Sequence, residues 1–78
     1  MNVEEQLVRY FKKHADADVA HDTPLVEHGV IDSMGVMELI AFIESTYDLQ
    51  LDMDDLTIEN FATINDIKNL IVMKREEL

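Results

Sequence analysis

Val3, Leu7, Tyr10 and Phe11 recur at three- and four-residue intervals, so the spacing predicts an amphipathic helix over residues 3–14. Glu4 and Glu5 fall in its first turn and Lys12 and Lys13 in its last, where each sign suits the helix dipole. The period then disappears. Residues 15–31 contain the only proline, Pro24, and one of the two glycines, Gly29, and read as a long loop. Leu25, Val26, Val30 and Ile31 are expected to turn inward and keep this loop ordered. A connector of such length in a small domain is uncommon and usually functional.

The helical period resumes at Ser33 and runs to Tyr47, now with two apolar stripes. Val36, Leu39, Ile40, Ile43 and Tyr47 form a continuous face for the core. Met34, Met37 and Ala41 form a second stripe that starts one residue after Ser33. Methionine at helical spacing is ordinarily core. One stripe already satisfies a core contact, however, which favours reading the second as an adaptable apolar surface patch. Residues 48–56 alternate at Leu49 and Leu51, but a lone strand would lack a partner, so they read as a loop. Thr57 to Phe61 reads as one short helical turn. Thr63 and Asp66 form a capping-box variant, and Ile64, Ile67, Leu70, Ile71 and Leu78 carry a last helix to the C-terminus. The predicted fold is all-α: a small four-helix bundle of three main helices and one short helix, with a long loop between helices one and two.

Seventy-eight residues make one domain, 1–78, and 47% apolar content is too high for a disordered acidic tail. The absence of cysteine excludes a disulfide framework and a thiolate metal site. The N-terminus lacks the basic and apolar regions of a signal peptide, and no run approaches membrane-spanning length, which points to a soluble, cytoplasmic protein; a monomer is expected. Six Lys and Arg against seventeen Asp and Glu give −11, which argues against binding nucleic acid or anionic membranes. The charge is also segregated. From His14 to Ile67 there is no Lys or Arg and there are thirteen Asp and Glu residues. Such a segment either keeps the surface soluble or steers basic partners to one face.

Candidate chemistry centres on Gly29-Val30-Ile31-Asp32-Ser33-Met34, where the loop enters the second helix. Asp32 or Ser33 can cap that helix. A hydroxyl presented there, inside an anionic segment, is the candidate for covalent modification by another protein. Serine is a poor nucleophile without a base, and no His or Lys is an obvious partner for Ser33, so the modifying enzyme must supply one. His14, His21 and His28 are seven apart, but Pro24 and the loop prevent a single helix from presenting them as metal ligands. Asp52-Met53-Asp54-Asp55 lacks the glycine and the distant glutamate of a calcium loop. No nucleophile–base pair, phosphate-cradling glycine loop or catalytic carboxylate pair emerges, so the chain is predicted to be no enzyme. One reading of these features is an unmodified acidic helical adaptor for a basic partner; it leaves Ser33 unexplained.

The same residues resemble acyl and peptidyl carrier proteins. Gly29 to Met34 is similar to their Gly-x-Asp-Ser-Leu pattern, with one extra residue and Met in place of Leu. Val36-Met37-Glu38-Leu39 continues as their second helix does, and Asn60-Phe61-Ala62-Thr63-Ile64 resembles the entry into their last helix. The resemblance implies that Ser33 carries a 4′-phosphopantetheine arm, installed from coenzyme A by a magnesium-dependent phosphopantetheinyl transferase. Acyl or aminoacyl groups would then ride on its thiol as thioesters between biosynthetic enzymes. It also implies that Asp32, Glu38 and Glu44 pair with basic residues of client enzymes, around the patch of Met34, Met37 and Ala41. Gly35 stands where many fatty-acid carriers have an acidic residue. Asp32-Ser33-Met34-Gly35 is closer to free-standing carriers loaded by adenylating ligases, such as D-alanyl carriers and stand-alone peptidyl or acyl carriers of secondary metabolism, which hand their cargo to downstream condensing, modifying or transferase enzymes.

Overall fold

The computed structural model describes residues 2–77 and contains three α-helices, α1 (Val3–Ala15), α2 (Ser33–Tyr47) and α3 (Ile64–Glu77). Two single 3₁₀ turns, Met53–Asp55 and Glu59–Phe61, lie between α2 and α3. The expected all-α architecture with a long α1–α2 loop is present. Its fourth helix is reduced to the turn Glu59–Phe61, and a second turn occupies the connector expected to be plain loop. Leu78 lies outside the described residues.

Asn2 starts α1 by accepting the Glu5 N–H at 2.8 Å on Oδ1. The helix runs one residue beyond expectation, because Asp16 closes it in the left-handed region at φ 50°. Aspartate tolerates that region better than most residues. Leu7, Tyr10 and Phe11 are buried, as their spacing requires.

The α1–α2 loop is ordered around Leu25, which is fully buried. Its N–H donates to the Ala62 carbonyl at 2.8 Å, and its own carbonyl accepts the N–H groups of Val30 (2.8 Å) and Ile31 (3.3 Å). Gly29, at φ +72°, makes this return, and its N–H donates to the Val26 carbonyl at 3.1 Å. That pair of bonds is the Schellman closure of a helical turn, which favours glycine at the left-handed position. Leu25 and Ile31 point inward and Val30 is half-buried, but Val26 turns out to solvent. The tight turn cannot direct two adjacent side chains at one core. Farther back, the His21 carbonyl accepts the Asn65 N–H at 3.0 Å, so the loop also satisfies the start of α3.

Among the described residues, thirteen apolar residues form the core, and α3 supplies four of them, Ile64, Ile67, Leu70 and Ile71. Thr63 caps α3 by accepting the Asp66 N–H at 3.2 Å. The expected reciprocal bond takes a different form: the Thr63 hydroxyl, not its backbone N–H, donates to the Asp66 carboxylate at 2.9 Å. Near the other end of α3, Lys74 is almost fully buried, with its ammonium 3.0 Å from the carboxylates of Asp52 and Asp55. This pairing ties the first 3₁₀ turn to α3 and gives the aspartate-rich run a structural use. Among the described residues, no helix is long and apolar enough to cross a membrane.

Candidate functional site

Asp32 ends the loop in extended conformation, and its Oδ1 accepts the Gly35 N–H at 2.7 Å. Its carbonyl accepts the Val36 N–H at 2.9 Å. Asp32 is therefore the cap of α2, and Ser33 is the first helical residue. The choice left open by the sequence is resolved. Ser33 is exposed, and its hydroxyl is not consumed in holding the helix. The N–H groups of Ser33 and Met34 belong to the first turn, where no intrahelical carbonyl can reach them. An anion bonded to the Ser33 oxygen would lie against these donors and the positive end of the helix dipole.

Gly35 helps to keep this start tight. Its N–H is the cap donor, and a Cβ there would stand 3.2 Å from Asp32 Oδ1 and 3.9 Å from Ile31 Cγ2. Ile31 is buried, so the loop's last apolar residue fixes where the cap begins.

The two stripes of α2 separate as their spacing requires. Leu39 and Ile43 are buried, with Val36, Ile40 and Tyr47 packed against the core. Met34 and Met37 are 77% and 70% exposed, and Ala41 is exposed beside them. Beyond α2, a small apolar cleft of ≈ 140 Å³ is lined in part by Val26, Leu56 and Ile58. Sequence reasoning gave these three no surface role. Ile58 lies three residues before Phe61, a spacing that reads as core, and only the path of the chain through the 3₁₀ turn shows it 77% exposed.

The acidic candidates divide. Asp32 and Glu38 are exposed within two turns of Ser33. Glu38 also faces the seam with α1: burial pushes the Tyr10 phenol above its usual 10.0, and the Glu38 carboxylate pushes it the same way. Glu44 is half-buried and accepts the Leu51 N–H at 3.0 Å, so it fastens the connector to α2 instead of standing free. Among the described residues, no cluster of His, Asp and Glu is arranged to hold a metal ion.

Comparison with known proteins agrees with this arrangement. The family described as phosphopantetheine attachment site matches residues 5–71. The D-alanyl carrier protein of Streptococcus uberis is 32% identical over 69 residues, covering 86% of this chain and 87% of that protein. The D-alanyl carrier protein of Streptococcus pyogenes serotype M1 is 30% identical over the same span. The matched region takes in the start of α2 and most of the helices beneath it, which decides between an unmodified adaptor and a carrier. This chain belongs to the phosphopantetheine attachment family, and it is a non-catalytic carrier protein that holds intermediates as thioesters on 4′-phosphopantetheine and serves as a substrate of other enzymes.

Proposed function

We propose that Ser33 is the attachment point of the 4′-phosphopantetheine arm, and that residues 1–78 act as one carrier domain for an aminoacyl cargo of the D-alanyl kind. One observation carries the site: Asp32 takes the cap, leaving Ser33 with an exposed, uncommitted hydroxyl at the helix start. The group fits there. First-turn N–H groups face an attached phosphodiester, and the exposure of Ser33 leaves it open to a second active site. When bound, the arm supplies the thiol on which thioesters form.

The rest of the surface has separable duties. Met34, Met37 and Ala41 offer client enzymes an adaptable apolar contact. Asp32 and Glu38 steer basic surfaces of the transferase, the adenylating ligase and downstream enzymes, through association rate more than through affinity. Glu44 contributes charge from a fixed, half-buried position. The D-alanyl assignment is supported by relatives of that name that match over most of both chains. Because the arm is drawn from coenzyme A, the expected compartment is the cytoplasm.

Intact mass spectrometry tests the site. After incubation with coenzyme A, magnesium and a promiscuous phosphopantetheinyl transferase, the folded protein is expected to gain one phosphopantetheine. Ser33→Ala is expected to gain none while unfolding within about 0.5 kcal/mol of wild type, because an exposed side chain that bonds nothing is removed. Modification that persists in Ser33→Ala would refute the assignment. Loading of the modified protein by a D-alanine-activating ligase, measured the same way, tests the cargo.

A further inference from the structure

A gutter runs along the seam between α1 and α2. It opens beside Ser33 as a cleft of ≈ 290 Å³ bordered by Asp32, Met34 and Glu38. It continues past Glu38, Ala41 and Phe42, and ends in a second cleft of ≈ 290 Å³ reaching Thr46. Tyr10 and His14 line it throughout, with their rings 4.5 Å apart, and Tyr10 also stands 4.5 Å from Phe42. Arg9 and Lys13 flank the far end. Neither forms an ion pair among the described residues, although the protein carries a net charge of −11.

Building on the assignment of the arm to Ser33, we infer that this gutter is a resting berth for the phosphopantetheine chain. Reach is the first reason. Nine residues of helix separate Ser33 from Phe42, about 14 Å at 1.5 Å per residue. An extended chain with the arm's bond count spans roughly 15 Å, at about 3.5 Å for every three bonds. An arm laid along α2 therefore delivers its thiol to the end held by Arg9 and Lys13. Chemistry is the second reason. The arm contains two amides and a hydroxyl, and burying these without partners is costly. The gutter offers the Glu38 carboxylate, the His14 imidazole and the NH2 group of Gln6, whose oxygen already accepts the Tyr47 hydroxyl at 2.6 Å, with aromatic faces for the apolar stretches. The cleft on the opposite side of α2 is half the volume and offers only the Thr57 hydroxyl among its lining side chains. Two unpaired cations beside the thiol also favour its thiolate, the form that attacks an activated acyl group.

The test uses the modified protein, isotopically labelled, with loading first verified by mass. Failure of that loading would refute the Ser33 assignment and is distinguishable from failure of the berth. Nuclear Overhauser contacts are expected from the arm's methyl and methylene protons to the rings of Tyr10, His14 and Phe42. Contacts instead to Ile58 and Phe61, or none beyond Glu38, would overturn the berth. As a second readout, the thiol is expected to alkylate with a pH midpoint below that of free pantetheine. The double substitution of Arg9→Ala and Lys13→Ala should return that midpoint to the free value; an unchanged midpoint in the double variant would remove the cations from the proposal.

Discussion

Helices α2 and α3 are nearly equal in length, at 15 and 14 residues, yet they divide their apolar side chains differently between core and surface. In α3, Ile64, Ile67, Leu70 and Ile71 are all buried, the Lys74 side chain is buried with them, and Val72 and Met73 are only partly exposed, at 39% and 46%. In α2 only Leu39 and Ile43 are buried, while Met34 and Met37 face solvent. The mean composition of α2 is the more apolar of the two, so hydrophobicity alone would rank it as the more central helix. The ranking is inverted because α2 serves two surfaces at once. It gives the core just enough to be held and spends the remainder on a face that other proteins can use. In a small domain, each exposed methionine is burial forgone, of the order of 1.5–3 kcal/mol for a full side chain.

The contrast is most sharply tested in α3. Ile67→Ala is expected to cost about 2–5 kcal/mol, because a fully buried side chain leaves a cavity that its neighbours cannot fill. A domain of this size has a total stability of roughly 4–12 kcal/mol, so denaturant unfolding should show a large loss. A change below 1 kcal/mol would mean that α3 is not the anchor.

Next in size is the junction between α3 and the connector. Lys74→Met keeps the buried stem but leaves the poorly exposed Asp55 carboxylate without that ammonium, at a cost of about 1–3 kcal/mol. Acid should act on the same junction. The Asp52 N–H, and then Lys74, hold the Asp55 carboxyl below its ordinary 3.8. A folded-state value below the unfolded one contributes stability that is fully present above the unfolded value. That contribution is lost as pH falls through the folded value. Melts taken from pH 5 downward should therefore lose stability below about pH 4, and Asp55→Asn should flatten the decline over that window.

At the start of α2 the effect is smaller and divides by chemistry. Asp32→Ala removes the cap bond to Gly35 and is expected to cost about 1 kcal/mol. Asp32→Ser keeps a capping oxygen and should restore most of that loss while still lacking the charge. If transferase association slows equally in both variants, the carboxylate steers the partner. If only Asp32→Ala slows, the cap alone matters.

These helices also show what could be read without coordinates. The bounds of α2 were legible, because its period begins at a capping pair and ends at Tyr47. So was the division of its faces, since Met34 and Met37 fall between the positions that Leu39 and Ile43 demand. Ser33 was legible as a candidate, but not as the residue spared from capping; Asp32 and Ser33 are both good caps, and only the 2.7 Å bond distinguishes them. Val26 and Ile58 were illegible because their exposure follows from the path of turns and not from a period. The Lys74 junction was hidden for a related reason: it joins residues 22 apart, and a lysine near a helix end ordinarily reads as a solvated charge.

The smallest stability effect carries the most information about use. Met37 lies one turn after Ser33 on the outer face of α2, and 70% of it is exposed. Truncation to alanine removes little buried area, and alanine is the better helix former, so Met37→Ala should unfold within about 0.5 kcal/mol of wild type. Loading and transfer by client enzymes should nevertheless weaken, since a flexible thioether suits a surface pressed by several partners in turn. Measuring both quantities on one preparation separates the two roles of the helix. A fall in melting temperature with unchanged client kinetics would return Met37 to the core and erase the contrast with α3. The opposite pattern would show that α2 gives up burial in order to be recognised.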